Sequence, residues 1–153
     1  MRRIHLDFET YSDVDIKKAG AFRYIQSPAF EILLCAYSVE DGPVSVLDLT
    51  VPQERDYFNS TFKDLIFCDD SVLMAYNAAF EAGCIARHFN IRFTPAYVAK
   101  FRDTMLHGLY AGYTAGLDAT GRALGIPEDK QKLATGKALI RYFCVPCKPT
   151  KSN

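Results

Sequence analysis

Two acidic side chains stand two residues apart in Ile4-His5-Leu6-Asp7-Phe8-Glu9. Ile4, Leu6 and Phe8 alternate with His5, Asp7 and Glu9, the period-two pattern of a strand with one apolar face. On such a strand the Asp7 and Glu9 carboxylates project from the same face, and like charges that close repel unless a cation lies between them. All-oxygen donors of this hardness suit Mg²⁺ or Mn²⁺ far better than zinc or copper. Asp-x-Glu alone is common on solvent-facing strands, so a second feature is needed. Tyr76-Asn77-Ala78-Ala79-Phe80-Glu81 supplies it. A strand passes into a helix there, which puts Asn77 at the helix cap and Glu81 in the first turn. Ligands bind at that edge of α/β sheets, and the helix dipole favours a carboxylate in the first turn. Asp7, Glu9 and Glu81 are therefore expected to converge on one or two hard cations. Read singly, Asn77 is a capping residue and Glu81 an ordinary first-turn acid.

The elements that must position these residues follow from the pattern of apolar side chains. Residues 31–39 form an apolar run, Glu40-Asp41-Gly42-Pro43 a turn, and Val44 to Leu47 a further strand, so the chain opens on a three-strand antiparallel meander. Pro52 suits a first helical turn, and Tyr57, Phe58, Phe62, Leu65 and Ile66 recur at helical spacing up to Asp69-Asp70. Val72 to Tyr76 reads as a buried strand, Ala79 to Phe89 as a helix closed by Asn90, and Tyr97 to Phe101 as another strand. Helices are predicted to begin near Asp103 and Leu117, and a last one to run from Thr135 to Phe143. The order β, β, β, α, β, α, β, α gives an α/β fold, a mixed sheet flanked by helices. Residues 1–147 are expected to form one domain, followed by a polar tail over 148–153.

Composition narrows the function classes. No apolar stretch approaches the ~20 residues of a membrane span, so a membrane role has no support. Five scattered cysteines and no hydrophobic leader point to free thiols in a reducing compartment. The formal net charge is zero, yet residues 1–98 hold 9 Lys and Arg against 14 Asp and Glu, while 99–153 hold 9 against 4. Lys130, Lys132 and Lys137 fall in the basic part, where they read either as a phosphate-facing surface or as an ordinary solvated face.

Taken in order, the two acidic motifs resemble those of the DnaQ-like 3′-to-5′ exonucleases of the ribonuclease H-like fold. Asp7-Phe8-Glu9-Thr10 is similar to that family's Asp-x-Glu-Thr, and Asn77-Ala78-Ala79-Phe80-Glu81 to its Asn-x-x-Phe-Asp, with Glu in place of Asp. Asp103-Thr104-Met105 and Gly116-Leu117-Asp118-Ala119 resemble the helical segments that follow. Tyr110-Ala111-Gly112, Leu124-Gly125-Ile126-Pro127 and Gly136-Lys137 resemble stretches of the exonuclease domain of phage-type family A DNA polymerases, so the likeness covers nearly the whole chain.

The resemblance implies a proofreading nuclease that hydrolyses the terminal phosphodiester at a single-stranded DNA 3′ end with two divalent ions, Mg²⁺ or Mn²⁺. Its partner would be a DNA polymerase domain in the same or a companion chain, in the cytoplasm of a bacterial or phage-infected host cell. Asp7 would bridge both ions, Glu9 would hold one of them and the terminal 3′-OH, and Glu81 would act on the second. Thr10 would meet the terminal nucleotide through its backbone, and Asn77 would stand with it among the substrate-binding residues. Phe80 would pack beneath the site, base stacking being the other reading. The family's last motif, an Asp four or five residues after a His or Tyr on a final helix, has no counterpart, since no acidic residue follows Asp129. The expectation is that this helix lies beyond the present chain. A catalytically silent nucleic-acid-binding or polymerase-interaction module of the same fold is the alternative, and an RNA-directed nuclease a third. Cys144-Val145-Pro146-Cys147 has zinc-ligand spacing but no second pair beside it.

Overall fold

In the computed structural model, which describes residues 1–114, 116–127 and 134–146, the alternating first segment becomes the central strand. This strand, β1 (Arg2–Tyr11), pairs antiparallel with β2 (Glu31–Val39) and parallel with β4 (Ser71–Ala75). β3 (Ser45–Asp48) pairs antiparallel with β2, and β5 (Phe101–Asp103) parallel with β4. The sheet order β3-β2-β1-β4-β5 is thus three antiparallel strands joined to two parallel ones, the mixed sheet expected of a ribonuclease H-like fold.

Ile4, Leu6 and Phe8 are buried on one face of β1, as the alternation requires. They meet Phe58, Phe62 and Ile66, all with no exposed surface, and Ala82 and Ile85 of α4 (Ala78–His88). Each large apolar side chain removed from water contributes roughly 1.5–3 kcal/mol, which fastens β1 against two helical layers. The expected single helix after Pro52 is three pieces: α2 (Pro52–Tyr57), a π-helical turn (Phe58–Phe62) and α3 (Lys63–Phe67). One widened turn lets Phe58, Phe62 and Ile66 all reach the core.

Two further departures from the sequence pattern bear on the site. The first is a helix between β1 and β2: α1 (Ile16–Gln26) is capped by the Asp15 side chain, which accepts from the Lys17 amide at 2.9 Å. Gly20 interrupts it with φ 80° and ψ 162°, and only Tyr24 and Ile25 are buried, so no continuous apolar stripe announces it. The second is the run 97–101, which is not a strand throughout. Thr94 caps a short α5 (Pro95–Val98), and β5 begins only at Phe101. The helices α6 (Thr104–Tyr110), α7 (Leu117–Ala123) and α8 (Ala134–Phe143) lie where the pattern predicts them. Asn90, with φ 53°, closes α4 in the left-handed conformation. Cys35, Cys68, Cys84 and Cys144 are free thiols, whereas Cys147 and the tail 148–153 lie outside the described residues. Among the described residues no helix is long and apolar enough to cross a membrane.

Candidate functional site

Because β1, β4 and β5 are parallel, their C-terminal ends share one edge of the sheet, where Asp7, Glu9, Asn77 and Asp103 all fall. Asp7 is exposed and Glu9 half-buried, and both line an open cleft of about 1290 Å³. Leu33 and Leu34 of β2, Leu117 of α7 and Ile140 of α8 form part of its walls. Asp48 and Asp118 also reach this cleft. Asp118 pairs with Arg122, and the Thr50 hydroxyl and amide hold the Asp48 carboxyl below the usual carboxylate range.

Glu81 has a different environment. It sits in the first turn of α4 as expected, but it is 3% exposed. Its Oε2 is the one buried side-chain oxygen or nitrogen among the described residues with no hydrogen-bond partner. Burial pushes its pKa up to about 8, and the negative charges of Asp7 and Asp103 add to the shift. Asp7 is therefore close enough for its charge to be felt at Glu81, although Glu81 is not among the cleft-lining side chains. The thiol of Cys84, one turn on, is raised by burial and then by Glu81.

Asn77 occupies the N-cap position, but its backbone is left-handed (φ 70°, ψ 50°) and its side chain makes no capping bond. The side-chain cap expected of Asn77 is not formed. Asp103 performs that task from the end of β5: its carboxylate accepts from the Asn77 and Ala78 amides, both at 3.1 Å, and from the Met105 and Leu106 amides at 2.9 and 3.4 Å. One side chain thus fixes the start of both α4 and α6 and sets where Glu81 stands. In the sequence Asp103 is legible only as the start of a helix; its hold on α4, 25 residues upstream, depends on strand pairing.

Thr10 is buried beyond a register shift between Glu9 and Thr10, with its hydroxyl 2.9 Å from that of Tyr24. The Tyr24 hydroxyl also donates to the Thr10 carbonyl at 3.0 Å. Phe80 is half-buried against the core, its ring 6.3 Å from that of Tyr24. Lys137 lies in α8 without a described side chain, and Lys130 and Lys132 lie outside the described residues.

The oxygen donors Asp7, Glu9 and Glu81 fit a hard divalent cation in kind, and the unpartnered Glu81 Oε2 is the kind of atom such an ion satisfies. Among the described residues no three Asp, Glu, His or Cys side chains are gathered as a ready-made cation site.

The fold defines an α/β domain of the ribonuclease H-like class, and a solved structure shares it. The family B DNA polymerase from the hyperthermophilic archaeon Pyrobaculum calidifontis superposes with a TM-score of 0.56, over 93% of this chain and 21% of its own, at 16% sequence identity. No family model matches the chain. Its sequence is 43% identical over 157 residues to the DNA polymerase of Bacillus phage SP02. That match takes in the whole of this chain and 22% of the phage protein, so the chain is homologous to about a fifth of a DNA polymerase.

Proposed function

We propose that this chain is the 3′-to-5′ exonuclease domain of a phage-type DNA polymerase, hydrolysing the terminal phosphodiester of single-stranded DNA with two divalent cations. The observation that carries the reading is Glu81, a buried carboxyl with an unpartnered oxygen in the field of Asp7, at the strand edge that also bears Glu9. The similarity to a phage DNA polymerase supports the setting.

Asp7 and Glu9 would hold the cations from the cleft, and Glu81, once deprotonated, from the helix side. Mg²⁺ or Mn²⁺ bound there supplies Lewis acidity that activates water and steadies the leaving 3′ oxygen. Asp103 positions Glu81 by fixing the first turn of α4. Tyr24 holds both the Thr10 hydroxyl and the Thr10 carbonyl, and so fixes the end of β1 beside Glu9. Three carboxylates do not balance two divalent ions, and the other described acids at this edge and cleft have partners, Asp103 in amides, Asp118 in Arg122 and Asp48 in Thr50. No fourth carboxylate of the kind the resemblance implies stands free at this edge among the described residues.

The test is release of label from a 3′-labelled single-stranded oligonucleotide in Mn²⁺. It compares the 153-residue chain with a longer polypeptide carrying a further Tyr-x-x-x-Asp helix, each also as Asp7→Ala. The longer polypeptide is expected to shorten the strand from its 3′ end and the short chain to do so slowly or not at all, with Asp7→Ala silent. DNA binding without Asp7-dependent hydrolysis by either would make this a silent binding module instead.

A further inference from the structure

The side of α4 turned away from Glu81 carries a second groove. Ala79, Gly83 and Ala86 recur along α4 at helical spacing, and with α1 they line a groove of about 420 Å³. A Cβ at Gly83 would come within 2.8 Å of Ile25 Cδ1, so a side chain there would press on the end of Ile25. Phe22 from α1 and Phe93 from the segment after α4 rise at this groove with 78% and 60% of their surfaces exposed. Rings of that size are normally withdrawn from water, and two at one groove mark a binding surface.

Charge identifies the occupant. Residues 1–98 have an acidic excess, yet none of the residues lining the groove is acidic, and of the 14 acids only Glu81, turned to the other side of α4, falls in 16–30 or 79–98. Five of their 9 cations do: Lys17, Lys18, Arg23, Arg87 and Arg92, all exposed. Of the acids next to these segments, Asp15 is engaged with the start of α1 and Lys18 and Asp13 with the Ser27 hydroxyl, while Glu31 is exposed at the start of β2. Exposed aromatic rings beside arginines, in a region cleared of carboxylates, are what a strand of unpaired bases on a phosphate backbone requires. The groove starts at Ala79, in the same helical turn as Glu81, and runs along α4 to Asn90, roughly 16 Å at the helical rise.

We propose that the groove between α1 and α4 binds single-stranded DNA, with bases stacking on Phe22 and Phe93 and Arg87 meeting the phosphates. The proposal rests on the exonuclease reading for the identity of the strand, which would lead to the carboxylates at the start of α4. Fluorescence anisotropy of a labelled oligo-dT in EDTA tests it, because binding is then read without cations or hydrolysis. Failure of the exonuclease assay leaves this measurement intact.

Phe22→Ala with Phe93→Ala is expected to weaken binding on the order of 100-fold, about tenfold for each ring. The Tyr pair at the same positions should restore it, which separates stacking from damage to the fold. Arg87→Gln with Arg92→Gln is expected to lower the salt slope by about 1.4, near 0.7 for each phosphate no longer neutralised. Wild-type affinity in the alanine pair, no binding by the wild-type chain, or equal competition by poly-glutamate would each overturn the proposal. The last would assign the groove to an acidic polypeptide.

Discussion

The two flanks of α4 differ in the sign of their charge. On one, Glu81 is buried unpartnered and feels Asp7 and Asp103 across the strand edge; on the other, the Ala79, Gly83 and Ala86 stripe faces a groove cleared of acids. A net charge of zero averages over this division, and so does the acidic excess of the first 98 residues. Charge informs function here only once it is assigned to surfaces. A buried acid in the field of two others and a groove whose one charged lining residue is Arg87 share one eleven-residue helix.

The acidic flank offers the largest effect. In a polypeptide active on 3′-labelled DNA, Asp7→Ala is expected to lower the rate by about a hundredfold to ten-thousandfold, because a group acting as part of a unit takes most of the unit's effect with it. Retention of more than a tenth of the rate would detach Asp7 from the chemistry.

Next comes the stability consequence of burying Glu81. Its folded pKa, about 8, stands above the ordinary carboxyl value of 4.5. Between those values the folded chain binds more protons than the unfolded one. Stability contributed by the protonated form is therefore full below about pH 4.5 and lost as pH rises through 8. In EDTA, Glu81→Gln should stabilise the chain by roughly 3–5 kcal/mol at pH 9 and by little at pH 4.5. Denaturant midpoints at the two pH values measure this; an equal effect at both would show that Glu81 titrates normally.

Asp103→Ala removes the acceptor shared by four amides at the starts of α4 and α6, at a cost of about 2 kcal/mol. Thermal unfolding checks the loss, and it should be accompanied by a change in the Glu81 titration, since Asp103 sets where α4 begins. The smallest effect is on the cationic flank. Gly83→Ala gains about 1 kcal/mol of helix propensity but presses on the end of the Ile25 side chain. The net change in stability, read from the same unfolding curves, is expected to stay within about 1 kcal/mol while oligo-dT affinity falls.

Much of this arrangement is legible in the sequence where local pattern and tertiary structure agree. Alternation in residues 4–9 fixes both the strand and the face that Asp7 and Glu9 share, and the strand-to-helix passage at Asn77 puts Glu81 in its turn. A cap at Asn77 rests on residue type alone. A left-handed backbone prevents it, and Asp103 substitutes through a strand pairing that no local signal reports. The helix α1 is hidden because Gly20 breaks it and its exposed face mixes Lys17, Lys18 and Phe22. Without α1 its groove against α4 cannot be inferred, and the basic residues that stand out in the sequence are Lys130, Lys132 and Lys137 instead.

The central claim, that Asp7 and Glu81 act on one cation, is tested most directly by titrating the chain with Mn²⁺, read by electron paramagnetic resonance of the free ion. The comparison uses the wild-type chain, Asp7→Asn and Glu81→Gln at about pH 6 and about pH 8.5, either side of the raised Glu81 pKa. Binding by the wild type is expected to be weak and to tighten with pH, because Glu81 must shed its proton before it can ligate. Both substitutions should weaken binding at the higher pH, and Glu81→Gln should also flatten the pH dependence. Wild-type affinity and pH dependence in both variants would contradict the claim.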